Sequence, residues 1–125
     1  MMLDPDCIRD ILFEVEENST YRKGLIIRAD KDNPLFTKYS WDKIIYHINQ
    51  CVLSNLILDA QIFDSDEYAI IDDFSPDGHE FIANIRKDSN WNTVKKRAAS
   101  VGSFSLSFLK DIAAEVIADL IKSSF

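Results

Sequence analysis

SWDKIIYHINQCVLSNLILDAQIFDSDEYAIIDDFSPDGHEFIANI, residues 40–85, is the stretch on which the fold turns. Ser40 stands where a helix N-cap is needed and Asp42 falls in the first turn, while Ile44, Ile48, Cys51 and Val52 recur on one face. That spacing predicts an amphipathic helix over residues 40–54. Asn55 tolerates positive φ better than most non-glycine residues and can end the helix in a left-handed conformation. Two segments rich in strand formers follow, residues 56–63 and 68–74, and Asp64-Ser65-Asp66-Glu67 between them has the length of a hairpin loop. Ser75-Pro76 then opens another helix, carrying Phe81, Ile82 and Ile85 on its inner face.

On the N-terminal side, Asp4 can accept from free backbone N–H groups, Pro5 suits a first helical position, and Asp6 favours the positive helix end. Ile8, Ile11, Leu12 and Val15 make one apolar stripe. Residues 24–28 read as a short strand, and Asn33-Pro34 can cap a single helical turn over residues 35–38. On the C-terminal side, Asp88 or Ser89 caps a helix with Trp91, Val94, Ala98 and Val101 in register, closed by Gly102. The last helix, residues 104–123, has a broad apolar face of Leu109, Ile112, Ala113, Val116, Ile117, Leu120 and Ile121. Helix, short strand, helix and β-hairpin make an α+β, winged-helix-like core over residues 1–87. C-terminal helices over residues 88–125 extend it within one domain. The last face is too wide for a lone exposed helix and must pack on the domain or on a second copy. A homodimer through residues 104–125 is the expectation, with Leu109, Ile112, Val116 and Leu120 at its centre.

Composition sets the class. Hydrophobic content of 46% over 125 residues permits a real core, and three glycines with three prolines leave little room for a turn-rich all-β fold. The N-terminus lacks a positive n-region and an apolar h-region, and no apolar run approaches the roughly 20 residues that cross a bilayer. No membrane partner is therefore expected, and a cytoplasmic location follows as the default. Cys7 and Cys51 are read as reduced and structural, the alternative being a disulfide or a shared zinc.

Charge segregates along the chain. Residues 59–80 hold eight acids and no Lys or Arg, whereas residues 86–97 hold five basic residues against Asp88 alone. A net charge of −7 weighs against nonspecific attraction to nucleic acid. A wing lying on DNA needs the opposite sign, because phosphate neutralisation supplies most nonspecific affinity. The helix over residues 40–54 nevertheless offers Lys43, Tyr46, His47, Asn49 and Gln50, including residue types that read base edges. Lys95, Lys96 and Arg97 are the phosphate-contact candidates, although three consecutive helical residues diverge. Asp64, Asp66 and Glu67 are the matching candidates for a protein partner. His79 and Glu80, adjacent on a helix, point apart and make no general-base dyad. His47, His79 and the cysteines lack metal-ligand spacing. No catalytic residue, metal or cofactor is expected.

Leu3-Asp4-Pro5-Asp6-Cys7-Ile8-Arg9-Asp10-Ile11-Leu12, Tyr46-His47, Val52-Leu53-Ser54-Asn55-Leu56-Ile57, Gly78-His79-Glu80-Phe81 and Trp91-Asn92 form an ordered set. Together they resemble, over most of the chain, an uncharacterised bacterial and phage family, domain of unknown function 2513. The resemblance implies a winged-helix relative of phage or mobile-element type and brings no catalytic residues. Residues 46–57 are also similar to the recognition helix of small bacterial repressors, with Asn55 where a glycine usually stands. The full second helix that braces such a recognition helix is missing from residues 29–39.

Two functions follow from these residues. One is a DNA-binding regulator, with residues 41–55 in the groove and Lys95, Lys96 and Arg97 on phosphate. The other is a protein-interaction module on the same scaffold, using the acidic hairpin or the last helix. Gathering Lys43, Arg86, Lys95, Lys96 and Arg97 on one face would favour the first, and scattering them the second.

Overall fold

A computed structural model describes residues 1–30 and 33–124, and every structural statement below concerns those residues. Residue 125, the end of the expected dimer segment, lies outside them.

The first helix, α1 (Pro5–Asn18), begins where its cap predicts. Asp4 Oδ1 accepts from the backbone N–H of Asp6 at 3.0 Å and of Cys7 at 3.3 Å. Ile8, Ile11, Leu12 and Val15 are buried, as their spacing requires; each such side chain contributes about 1.5–3 kcal/mol by leaving water. Strand β1 (Leu25–Arg28) alternates buried and exposed. A single turn, α2 (Leu35–Lys38), follows, with Asn33 Oδ1 accepting from Leu35 N–H at 2.9 Å. Ser40 Oγ accepts from Lys43 N–H at 3.2 Å and caps α3 (Trp41–Leu53). Asn55 takes φ 60°, the left-handed conformation expected of it.

Strands β2 (Ala60–Phe63) and β3 (Tyr68–Ile71) form the hairpin. β3 is central, antiparallel to β1 with Ile27 opposite Ala69, and to β2 with Ile62 opposite Ala69. Both strands are shorter than residues 56–63 and 68–74. Beyond them the pairing thins to single backbone bonds, Asp72 N–H to Asp59 O at 2.9 Å and Leu58 N–H to Asp73 O at 3.1 Å, and an isolated bridge, Ile57 to Phe74. Leu56 instead donates its N–H to Cys51 O at 2.9 Å and accepts from Ser75 N–H at 3.1 Å, so it links the end of α3 to the next helix. Its side chain and that of Ile57 enter the core.

That next helix, α4 (Pro76–Ile85), is capped by Ser75, whose Oγ accepts from Gly78 N–H at 3.0 Å and donates to Asn55 O. A Cβ at Gly78 would overlap the Leu56 carbonyl, so glycine is required by close approach. Helix α5 (Asp88–Val101) has its cap position one residue before the earlier of the two expected caps, Asp88 and Ser89. Asp88 is its first residue, Lys87 in the cap position makes no side-chain bond, and Gly102 ends it at φ 70°. The last helix, α6 (Leu106–Ser124), packs on α5 and α4. Leu109, Ile112 and Val116, expected at a dimer interface, are buried in this intramolecular packing, whereas Leu120 and Ile121 remain exposed. No helix is long and apolar enough to cross a membrane among the described residues.

Candidate functional site

The candidate base-reading helix is α3, and its central histidine is not on the surface. His47 is fully buried. Its Nε2 lies 2.8 Å from the backbone N–H of Asp4, and its Nδ1 lies 2.7 Å from Lys43 O. An amide can only donate and a carbonyl only accept, so the ring carries its proton on Nδ1. Placing His47 among base readers is therefore corrected: it ties α1 to α3. Its position between Ile44 and Cys51 on the apolar stripe was the signal for burial.

The other residues of this helix divide. Lys43 Nζ pairs with Asp4 Oδ2 at 2.7 Å and lies over the Tyr39 ring. The hydrogen bond to Asp4 raises the Lys43 ammonium above its ordinary value. Burial pushes the Asp4 carboxyl up, yet Lys43 and the N–H groups of Cys7 and Asp6 outweigh it and hold the carboxyl below its usual range. Tyr46 and Gln50 are half-buried, Tyr46 edge-on to His47, while Asn49 is exposed. Leu53, an apolar residue near the end of this helix, is 79% exposed.

The basic helix diverges as consecutive positions must. Lys95 Nζ pairs with Asp6 Oδ1 at 3.0 Å, an atom that also accepts from Trp91 Nε1 at 2.8 Å. Arg97 turns to α6, meeting Asp119 at 3.0 Å and Glu115 at 3.5 Å. Lys96 is exposed and carries no ion pair among the described residues. Arg86 pairs with Glu16 on α1. Lys43 and Lys95 do converge on the N-terminus of α1, but each meets an aspartate there.

The hairpin presents the opposite picture. Asp64, Asp66 and Glu67 are exposed, and no ion pair neutralises them among the described residues. Asp64 Oδ1 accepts from Trp41 Nε1 at 3.2 Å, which fixes the turn to the start of α3. Phe63 stacks on Tyr68 with ring centroids 4.5 Å apart, and the Arg28 guanidinium lies 5.1 Å over Tyr68 from the other side. This row crosses all three strands on the outer face of the sheet. The period-2 alternation of the strands was its only sequence signal, and charge drew attention away from it.

No group of three His, Cys, Asp or Glu side chains could hold an ion among the described residues. Cys7 and Cys51 are free and buried. Desolvation pushes the Cys7 thiol up to about 12, and Cys51 moves the same way. His79 is exposed, its ring edge against Phe74.

A family model described as "Hypothetical protein (DUF2513)" matches residues 2–105. An "Uncharacterized protein" of Haemophilus influenzae is 26% identical over 124 residues, spanning 93% of this chain and 95% of that protein. No solved structure matches.

Proposed function

The chain belongs to the DUF2513 family of hypothetical proteins, and for this member we propose a non-enzymatic protein-interaction role, on a winged-helix-like scaffold, with the acidic hairpin as its contact surface. One contrast carries the reading. Three of the four cations of the two DNA-candidate segments are engaged within the fold, as Lys43–Asp4, Lys95–Asp6 and Arg97–Asp119, with Lys96 alone left unpaired, while the acids of the hairpin turn face solvent without cations among the described residues. Opening a pair to reach a phosphate forfeits the internal contact and leaves a repelling carboxylate beside the DNA. A basic protein surface meets the opposite situation at the hairpin, where attraction speeds encounter and selects the partner.

The topology supports the scaffold half of the proposal: helix, strand, short helix, helix and hairpin, with the hairpin turn bonded to the start of α3. The short α2 supports the interaction half, because it provides no long bracing helix behind α3.

A charge-reversal experiment tests this reading. The full chain, with and without Asp64→Lys, Asp66→Lys and Glu67→Lys together, is titrated against a labelled lysine-rich peptide and against a labelled mixed-sequence duplex. The wild type binds the peptide and not the duplex, and the variant loses the peptide and gains the duplex. A wild type that prefers the duplex refutes the proposal.

A further inference from the structure

The outer face of the sheet is unlike a solvated surface. Ile26 and Phe63, 43% and 37% exposed, and half-buried Tyr68 and Ile70 share it, and none of the four belongs to the core cluster. The register sets Ile26 beside Ile70 and Gln61, and Arg28 beside Tyr68 and Phe63, as two adjacent rows across three strands. Asp72 N–H donates to Asp59 O at 2.9 Å, which continues the pairing past Ala60 and Ile71 and makes a third row of two exposed aspartates. The apolar rows therefore lie between Asp59 with Asp72 at one end and Asp64, Asp66 and Glu67 at the other. Arg28 is the one cation on these strands and their turn, and it is engaged over the Tyr68 ring; Arg22 and Lys23 stand beyond Gly24.

We propose that this face docks an amphipathic helix of a partner protein, one whose apolar stripe is bordered at both ends by lysine or arginine. The inference rests on the interaction-module reading and specifies its surface and partner. Five residue steps separate Asp59 from Asp64 and Glu67 from Asp72, about 16.5 Å at roughly 3.3 Å per residue. In a helix that distance is about eleven residues at 1.5 Å each, so basic residues at i and i+11, three turns apart, reach both acidic ends from one face. A second copy of this chain is a poorer fit. The exposed apolar end of its own α6, Leu120 and Ile121, has Lys122 on one side but Asp119 on the other, so it does not set a cation at both ends of the sheet face.

The test uses the full ¹⁵N-labelled chain and a designed helical peptide, leucine-striped, with lysines at i and i+11, alongside its lysine-to-glutamate counterpart. Amide shifts on residues 25–28 and 59–72, with the glutamate peptide inert and Ile26→Glu weakening the lysine peptide about tenfold, about 1.4 kcal/mol, support the proposal. Ile26 is exposed at the sheet edge, and Phe63→Ser, a second surface change, guards against misfolding of the first variant. Shifts confined to residues 64–67 and indifferent to both variants overturn this inference and leave the interaction reading standing. Failure of the lysine peptide to bind at all overturns both.

Discussion

His47 Nε2 receives the backbone N–H of Asp4 at 2.8 Å, so a buried side chain of α3 holds the first residue ahead of α1. The same aspartate caps α1 and pairs with Lys43, one turn before His47. Helix start, ion pair and buried ring thus form one unit joining α1 to α3.

Removing the ring leaves the part-buried Asp4 N–H without its partner, takes one of two bonds from the Lys43 carbonyl and opens a cavity. His47→Ala is expected to lower stability by about 1–3 kcal/mol for the unmade hydrogen bonds, with more from lost packing. Urea unfolding followed by tryptophan fluorescence measures it. A midpoint equal to wild type would show that the bond contributes nothing.

Gly78→Ala forces a methyl group into the Leu56 carbonyl, where α4 crosses the end of α3. Overpacking of this kind costs about 1–3 kcal/mol, and backbone has little freedom to yield. The same unfolding assay shows the loss, and an unchanged midpoint contradicts the packing described.

The pairing of Asp4 has a pH signature. Its folded pKa is lowered, so its stabilisation is present above the ordinary value of 3.8 and is lost as pH falls through the lower folded value. Lys43→Met removes a principal cause of that lowering. The variant is expected to lose less stability than wild type between pH 7 and pH 3; equal losses would rule out the coupling.

Alkali acts with the opposite sign on the thiols. Burial raises Cys7 from 9.0 to about 12, so its contribution is full below pH 9 and is lost as pH climbs from there to about 12. Cys51 shifts in the same direction. Stability measured from pH 8 upward is expected to decline beyond pH 9, and both thiols react with a colorimetric reagent only after urea is added. Rapid labelling of the native chain would contradict their burial.

Much of the fold was legible because its signals are local. Asp4-Pro5, Ser40, Ser75-Pro76 and Gly102 each mark a helix end through bonds or backbone angles within a few residues. What escaped depends on distant partners. His47 looked like a surface polar residue because the amide that satisfies it lies 43 positions away. Lys95 looked available because Asp6, 89 positions away, is what it meets. The apolar face of α6 showed the need for a partner but not its identity, and α4 and α5 supply that partner for Leu109, Ile112 and Val116. Leu56 and Ile57 have strand-like side chains, yet the chain turns there to join α3 to α4.

The most direct test of the account is fluorescence anisotropy of a labelled mixed-sequence duplex, titrated with the wild-type chain at low and at near-physiological salt. The account predicts no binding at either, because Lys43, Lys95 and Arg97 are held by Asp4, Asp6 and Asp119, Lys96 alone is left unpaired among the described residues, and the hairpin is acidic. Binding at low salt that weakens steeply as salt rises would show phosphate contacts and contradict it.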